Sequence, residues 1–170
     1  MKYKAIIIAF LCVWGIAQAQ SGTQPKKSNF GVAFSPGIIL QRNVFIDANL
    51  FLGKIYTIVD QKIPIIGVNG YRIGIETDCN RTIVPKVGYE FSLLATSFRF
   101  TLADYIQGNQ SEFRVIPELG IGIGGWINLT YGYGISLNKA NLTDIGHHRL
   151  ALTINLNKRL NHVMLKGNML

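Results

Sequence analysis

The chain has 170 residues, 17 of them Lys or Arg and 9 Asp or Glu, and 48% are apolar while only 15% are charged. That length suits one domain, and two cysteines are too few for a disulfide-built scaffold. The basic side chains stand singly apart from Lys26-Lys27 and Lys158-Arg159, so the chain lacks the clustered basic face of a nucleic-acid binder.

In chain order, the first element is a leader. Lys2 and Lys4 precede an apolar run over 5–16, and Ala17-Gln18-Ala19 is a small-x-small cleavage site. The run is shorter than the roughly twenty residues a helical span needs. Leu11 stands where a lipoprotein leader needs a small residue ahead of Cys12. The expected division is therefore a signal peptide over 1–19, cut between Ala19 and Gln20, a polar linker over 20–29, a β domain over 30–160 and a tail over 161–170. Without Lys2 and Lys4 the remainder carries 15 basic against 9 acidic side chains. Cys79 is then the one cysteine left, which excludes an intramolecular disulfide despite an oxidising compartment.

Beyond the linker the chain alternates apolar and polar residues with period two, which predicts strands. Phe30, Val32 and Phe34 alternate with Gly31, Ala33 and Ser35, and Pro36-Gly37 marks a bend or bulge. Over 44–56, Val44, Ile46, Ala48, Leu50 and Leu52 oppose Asp47, Asn49 and Gly53. Over 66–76, Tyr71, Ile73 and Ile75 oppose Arg72, Gly74 and Glu76. Cleaner strands follow at 85–93, 97–104 and 113–123, with Lys86, Glu90, Arg99, Arg114 and Glu118 on their polar face. In the seventh, 126–137, every odd position is apolar and only Asn, Thr, Gly and Ser stand between them. The eighth, 148–157, sets Leu150, Leu152, Ile154 and Leu156 against Arg149, Ala151, Thr153 and Asn155. No helical periodicity of useful length appears.

The connections near 94–96 and 124–125 read as tight, and those near 77–82, 105–112 and 138–147 as longer and polar. In an up-and-down barrel such loops sort onto opposite rims, short turns at one end and long loops at the other. The connection at 59–65, which holds Pro64, fits that sorting less well. The polar face is small and charged: Asp47, Arg72, Glu76, Lys86, Glu90, Arg99, Arg114, Glu118 and Arg149 stand among Gly, Ser, Thr, Ala and Asn. An eight-stranded barrel is just wide enough to be filled by such side chains. Buried charges need partners, so the arginines are expected to pair with Asp47, Glu76, Glu90 and Glu118. The opposite face, with Tyr89, Phe98, Phe113, Trp126, Tyr131 and Tyr133, would then meet lipid.

At this point the chain resembles the small eight-stranded outer-membrane β-barrel proteins of Gram-negative bacteria, of the OmpA transmembrane-domain or OmpX type. The likeness rests on Val87-Gly88-Tyr89-Glu90-Phe91, Pro117-Glu118-Leu119-Gly120-Ile121-Gly122, Asn128-Leu129-Thr130-Tyr131-Gly132-Tyr133 and His148-Arg149-Leu150. It implies an all-β, eight-stranded antiparallel transmembrane barrel, a monomer in the outer membrane with lipid as its partner and any surface ligand on its long loops. Many such barrels end on an aromatic residue, whereas here residues 161–170 run past the last strand.

Other motifs carry less. Gly120 to Gly125 satisfies G-x-G-x-x-G, but dinucleotide binding needs a helix to open there and a strand follows. His147 and His148 are strand neighbours that should point to opposite faces, a poor metal pair. Some such barrels modify lipid A, and Ser136, a histidine and Glu118 are the parts available for acyl transfer, with no hydrolase motif around the serine. The reading is thus a non-enzymatic membrane barrel without metal or cofactor, with a plugged interior and a structural or loop-mediated contact role. Its rivals are a soluble periplasmic barrel holding an apolar ligand and a lipid A-modifying enzyme.

Overall fold

The computed structural model describes residues 28–58, 65–138, 140, 142 and 144–166. The expected leader, its expected cleavage site at Ala19 and Gln20, most of the expected linker and the connection at 59–64 lie outside the described residues. Nine strands follow in order: β1 (Ser28–Gln41), β2 (Val44–Ile58), β3 (Ile65–Thr77), β4 (Thr82–Leu93), β5 (Thr96–Gln107), β6 (Gln110–Ile123), β7 (Ile127–Tyr133), β8 (Ile135–Ser136) and β9 (His148–Ile154). One helix, α1 (Lys158–Lys166), closes the described chain. Consecutive strands pair antiparallel, β7 and β8 both pair with β6 as one interrupted stave, and β9 pairs with both β7 and β1. The sheet therefore closes as an eight-staved antiparallel barrel through the β1–β9 pairing.

The register fixes the girth. Cross-strand partners lead from Phe30 to Lys54, Asn69, Phe91, Phe98, Leu119, Tyr131 and Leu150, and return to β1 at Leu40, not Phe30. The stagger is thus ten residues, 40 − 30, which tilts the strands within the usual range of about 35–45°. Such a lumen is filled by side chains, and the walls are built for it. A Cβ at Gly120 would run into the Leu129 carbonyl, and one at Gly122 into the Asn128 side chain.

Three prolines lie inside strands, each beside a gap in a ladder, as the missing N–H requires. Pro85 falls where the β4–β5 pairing skips from Ile83 to Lys86, and Pro117 where the β6–β7 pairing stops at Glu118. Pro36 falls between the continuous β1–β9 ladder and the single Phe34–Leu156 bridge. The Ser35 hydroxyl donates to Asn155 across that gap. Pro36-Gly37 is consequently no bend: β1 runs straight through it, and alternation holds from Phe30 to Gln41.

Both mouths are sealed by apolar side chains. At one, Ile39, Phe45, Val84, Ala103, Tyr105, Ile116 and Ala151 pack with Ile145 and Leu142 of the 137–147 connection. At the other, Ala33, Phe51, Ile55, Ile66 and Val68 surround Leu160 of α1, with Trp126 and Val163 against them. The Leu160 side chain is fully buried, and Trp126 Nε1 donates to Asn161 Oδ1 at 2.9 Å. The residues expected as a trailing tail begin inside a helical stopper, and Trp126 belongs to this cap instead of the outward aromatic set. Phe45, Phe51 and Ile55 also face inward, which the strict alternation of β2 required of its odd positions.

The connections depart from the expected sorting. Residues 105–112 are not a loop, because β5 and β6 run on to a two-residue turn at Gly108-Asn109, where Gly108 takes φ 57°. The turn at Leu94-Ala95 puts a leucine at φ 53°, an uncommon conformation for a side chain of that kind. It is held from both sides, with Leu94 N donating to Ile66 O at 3.1 Å and Gly124 N to Leu94 O at 2.6 Å. The rim that holds residues 42–43, 78–81 and 108–109 has one long connection, 137–147, not three.

Two outcomes follow. Leu160→Ala should release α1, since removing such a side chain from a core costs about 2–5 kcal/mol, and trypsin should then cut at Lys158 and Arg159 far faster than in the parent; equal cutting rates would mean α1 is not held this way. Gly120→Val should lower the unfolding free energy measured by urea in detergent by about 1–3 kcal/mol through overpacking, where an unchanged value would show spare room in the wall.

Candidate functional site in the barrel lumen

Alternation in the barrel wall turns every second side chain inward, and the middle of the lumen is built from charges. The expected residues Asp47, Arg72, Glu76, Glu90, Arg99, Arg114, Glu118 and Arg149 are all buried, and the Lys86 side chain is nearly so. Glu90 takes Arg72 Nη1 at 2.7 Å and Arg99 Nε at 3.2 Å. Asn128 Nδ2 at 3.0 Å, Asn155 Nδ2 at 3.2 Å and the Ser92 hydroxyl at 3.2 Å donate to its other oxygen. Glu76 takes Lys86 Nζ at 2.6 Å and Arg149 Nη2 at 2.7 Å. Lys86 also reaches Asp47 at 2.8 Å, and Arg149 Nε lies 3.2 Å from Glu118. The Nε contacts of Arg99 and Arg149 lie off the hydrogen-bond line and act as Coulombic contacts, with the directed bonds made elsewhere.

Each multiple partner has the same cause. A carboxylate has about four acceptor positions and loses all of its water on burial, so one cation leaves it short. Glu90 on β4 is met from β3, β5, β7 and just past β9, and Glu76 on β3 from β4 and β9. The pairs therefore tie opposite walls together across the lumen.

Arg114 is placed differently from the expected cross-barrel pairing. Its partner is Glu112, two residues away on the same strand, at 2.7 Å. Its Nη1 donates to Gly146 O at 2.7 Å, and its guanidinium lies 4.6 Å from the Tyr105 ring centre. Glu112 and Tyr105 fall outside the polar set expected from the sequence because 105–112 reads there as a loop. The Gly-Asn pair at 108–109 is a hairpin signal that could have found them.

The remaining interior space is small. A cavity of about 10 Å³, near the room one water needs, is bordered by Asp47, Arg72, Lys86, Arg99, Glu118 and Arg149. At that level the charged side chains leave room for about one water.

The parts weighed for acyl transfer have partners of their own, His147 Nδ1 lying 2.8 Å from Gly134 O. The Ser136 hydroxyl donates to Glu112, His148 meets the Tyr131 hydroxyl on the outer face, and Glu118 faces Arg149. His147 and His148 are not split by strand alternation, because β9 begins at His148; both rings flank Tyr133. Among the described residues no three His, Cys, Asp or Glu side chains converge as a metal site would need. The G-x-G-x-x-G stretch ends β6 and turns at Gly124 and Gly125, with β7 following and no helix. Cys79 is exposed, at φ 59° in the turn after β3. No protein-family model, no curated protein and no solved structure matches the chain.

That turn is organised by Asp78. Its Oδ1 accepts from the backbone N–H of Asn80 at 3.0 Å and of Arg81 and Thr82 at 2.9 Å, while the Thr82 hydroxyl meets Oδ2 at 3.0 Å. Slight burial pushes the carboxyl up, but these donors outweigh it and hold it at about 2, below its ordinary 3.8.

A group depressed in the folded state adds stability above its free value and loses it as pH falls through the folded one. Amide protection at 80–82 should therefore hold at pH 5 and fade toward pH 2, and Asp78→Ala should lack it at pH 5; protection in that variant would refute the role given to the carboxylate. In the lumen, Glu90→Ala should cost about 3–5 kcal/mol by stranding Arg72 and Arg99, and Glu90→Leu with Arg72→Met should recover part of it. A loss under about 1 kcal/mol in urea unfolding would mean the network does not bear on stability.

Proposed function

We propose that the protein is an integral outer-membrane β-barrel, monomeric, with a sealed and ion-paired interior, and that its role is structural within the membrane. The observation that carries this is the inversion of its two faces. Thirty large apolar side chains of the described residues are exposed, and they run around every stave from Phe30 to Leu156, while the charges are inside. Soluble monomers rarely expose apolar patches beyond a few hundred Å². A bilayer covers such a band without any second layer of protein, and it demands the closed hydrogen bonding that this barrel has.

No helix among the described residues is long and apolar enough to cross a membrane, so crossing falls to the strands. Strands of 12 to 15 residues such as β2 and β5 exceed the roughly 9–11 residues a tilted membrane strand needs. A soluble barrel holding an apolar ligand would need an apolar chamber, and the lumen is filled with charge. A pore would need an open lumen. A contact role for the long connection is the weaker variant, because Ile145 is buried in the mouth and Arg114 holds Gly146.

The chain should sediment with outer membranes, resist washing with urea, and dissolve only with detergent. Unheated samples should run faster in gels than heated ones, as closed barrels do. Full extraction without detergent would overturn the proposal.

A further inference from the structure

We propose that the outer rim where β7, β9 and the 137–147 connection meet binds the phosphate of a lipid headgroup. The proposal rests on the membrane reading above. It starts from the one place on the outer face where two histidines and two tyrosines gather.

Tyr131 and Tyr133 point outward from β7 and are about half exposed. His147 stacks on Tyr133 with ring centres 5.7 Å apart and an interplanar angle of 26°, and His148 meets the same ring edge-on at 5.0 Å. Tyr131 Oη is hydrogen-bonded to His148 Nδ1, and His147 Nδ1 lies 2.8 Å from Gly134 O. A carbonyl only accepts, so His147 carries its proton on Nδ1, and its Nε2 is an acceptor that meets a phosphate through that group's own hydroxyl proton. When the Tyr131 hydroxyl donates to His148, that ring carries its proton on Nε2 and offers it outward. Both Nδ1 atoms are thus engaged in positioning, which directs recognition to the two Nε2 atoms.

Arg42 supplies the permanent charge. Gln41 pairs with Arg149 at the end of the β1–β9 ladder, so Arg42 leaves β1 near the start of β9. The connection passes close by, since a Cβ on Gly146 would lie 3.2 Å from Arg42 N. The charged group facing Arg42 is Asp144, at 4.0 Å with both side chains largely exposed, an ion pair of little strength that a phosphate could displace. The guanidinium fork matches phosphate oxygens in bidentate fashion.

What selects a lipid over free phosphate is the surface beneath. Ile38, Leu40, Leu150 and Leu152 are exposed and adjacent on β1 and β9, paired in register, and form an apolar strip leading away from the rim. A phosphate held by Arg42, His147 and His148 would lay its acyl chains along that strip. The amphiphile's polar head and apolar tails meet matching surfaces in the right order.

The test uses the full chain in maltoside micelles, titrated with short-chain diacyl phosphatidic acid, with the matching diacylglycerol and with inorganic phosphate. The side-chain nitrogen resonances of the three histidines report binding, and His162, exposed on α1 at the other mouth, is the internal control. Saturable shifts of His147 and His148 with phosphatidic acid, absent with diacylglycerol and absent at His162, are expected. Arg42→Gln and His148→Gln should each weaken binding about tenfold, as loss of a charged hydrogen bond does, with heat-modifiable mobility intact. Silent histidines, equal shifts at His162, or inorganic phosphate binding as tightly would overturn it. A chain that needs the micelle yet fails these arms sinks only this proposal, whereas one that stays soluble without detergent sinks the membrane reading with it.

Discussion

The structure depends on pairing charge where water is excluded. Asp47, Glu76, Glu90, Glu112 and Glu118 meet Arg72, Lys86, Arg99, Arg114 and Arg149 inside the wall, five acids against five bases. An unpaired charge there would cost several kcal/mol. The stagger of ten gives a lumen these side chains fill, and the glycines of β6 let neighbouring strands approach closely. The apolar clusters under Ile145 and Leu160 shut both ends. With the polar groups spent inside, the outer face is free to be apolar all round.

Much of this was legible in the sequence because a strand has the simplest of periods. The polar set from Asp47 to Arg149 could be read from alternation alone, since an even or odd position on a strand settles the face. Alternation also misled where it was cut short. Pro36 looked like a break, yet its missing N–H falls in a gap of the β1–β9 ladder. Tyr105 and Glu112 looked like loop residues because Gly108-Asn109 was not taken as a hairpin. Trp126 reads as an outward aromatic beside Tyr131 and Tyr133 although its even position is in step with Asn128 and Thr130, and from the turn before β7 it packs into the α1 cap.

Other features were beyond such a reading. Which cation meets which acid is set by the girth and by rotamers, so the local Arg114–Glu112 pair could not be separated from a cross-barrel one. The helix at Lys158–Lys166 is short and strongly basic, and what holds it is Leu160 in an apolar cup made by β1, β2 and β3. Tertiary packing of that kind overrides weak local preference.

A sealed interior moves any activity to the surface, and the outer face is where the chain departs from uniform apolarity. The rim at Arg42, His147 and His148 is one such place, and Lys54 and Asn69 mark another level of the wall. These polar points lie along a band whose middle is made of Leu, Ile, Val and Phe. On the proposed membrane reading, lipid is the solvent around its waist and water the solvent at its ends.

Paramagnetic broadening by a spin label on a lipid chain tests this account most directly, with the protein in lipid nanodiscs. Methyl resonances of Leu50, Ile73, Val87, Leu119 and Leu152 should be broadened, and those of Ile39, Val84 and Ile116 should be spared. Broadening of the second group with sparing of the first would contradict the account, because it would put lipid inside the barrel and water around it.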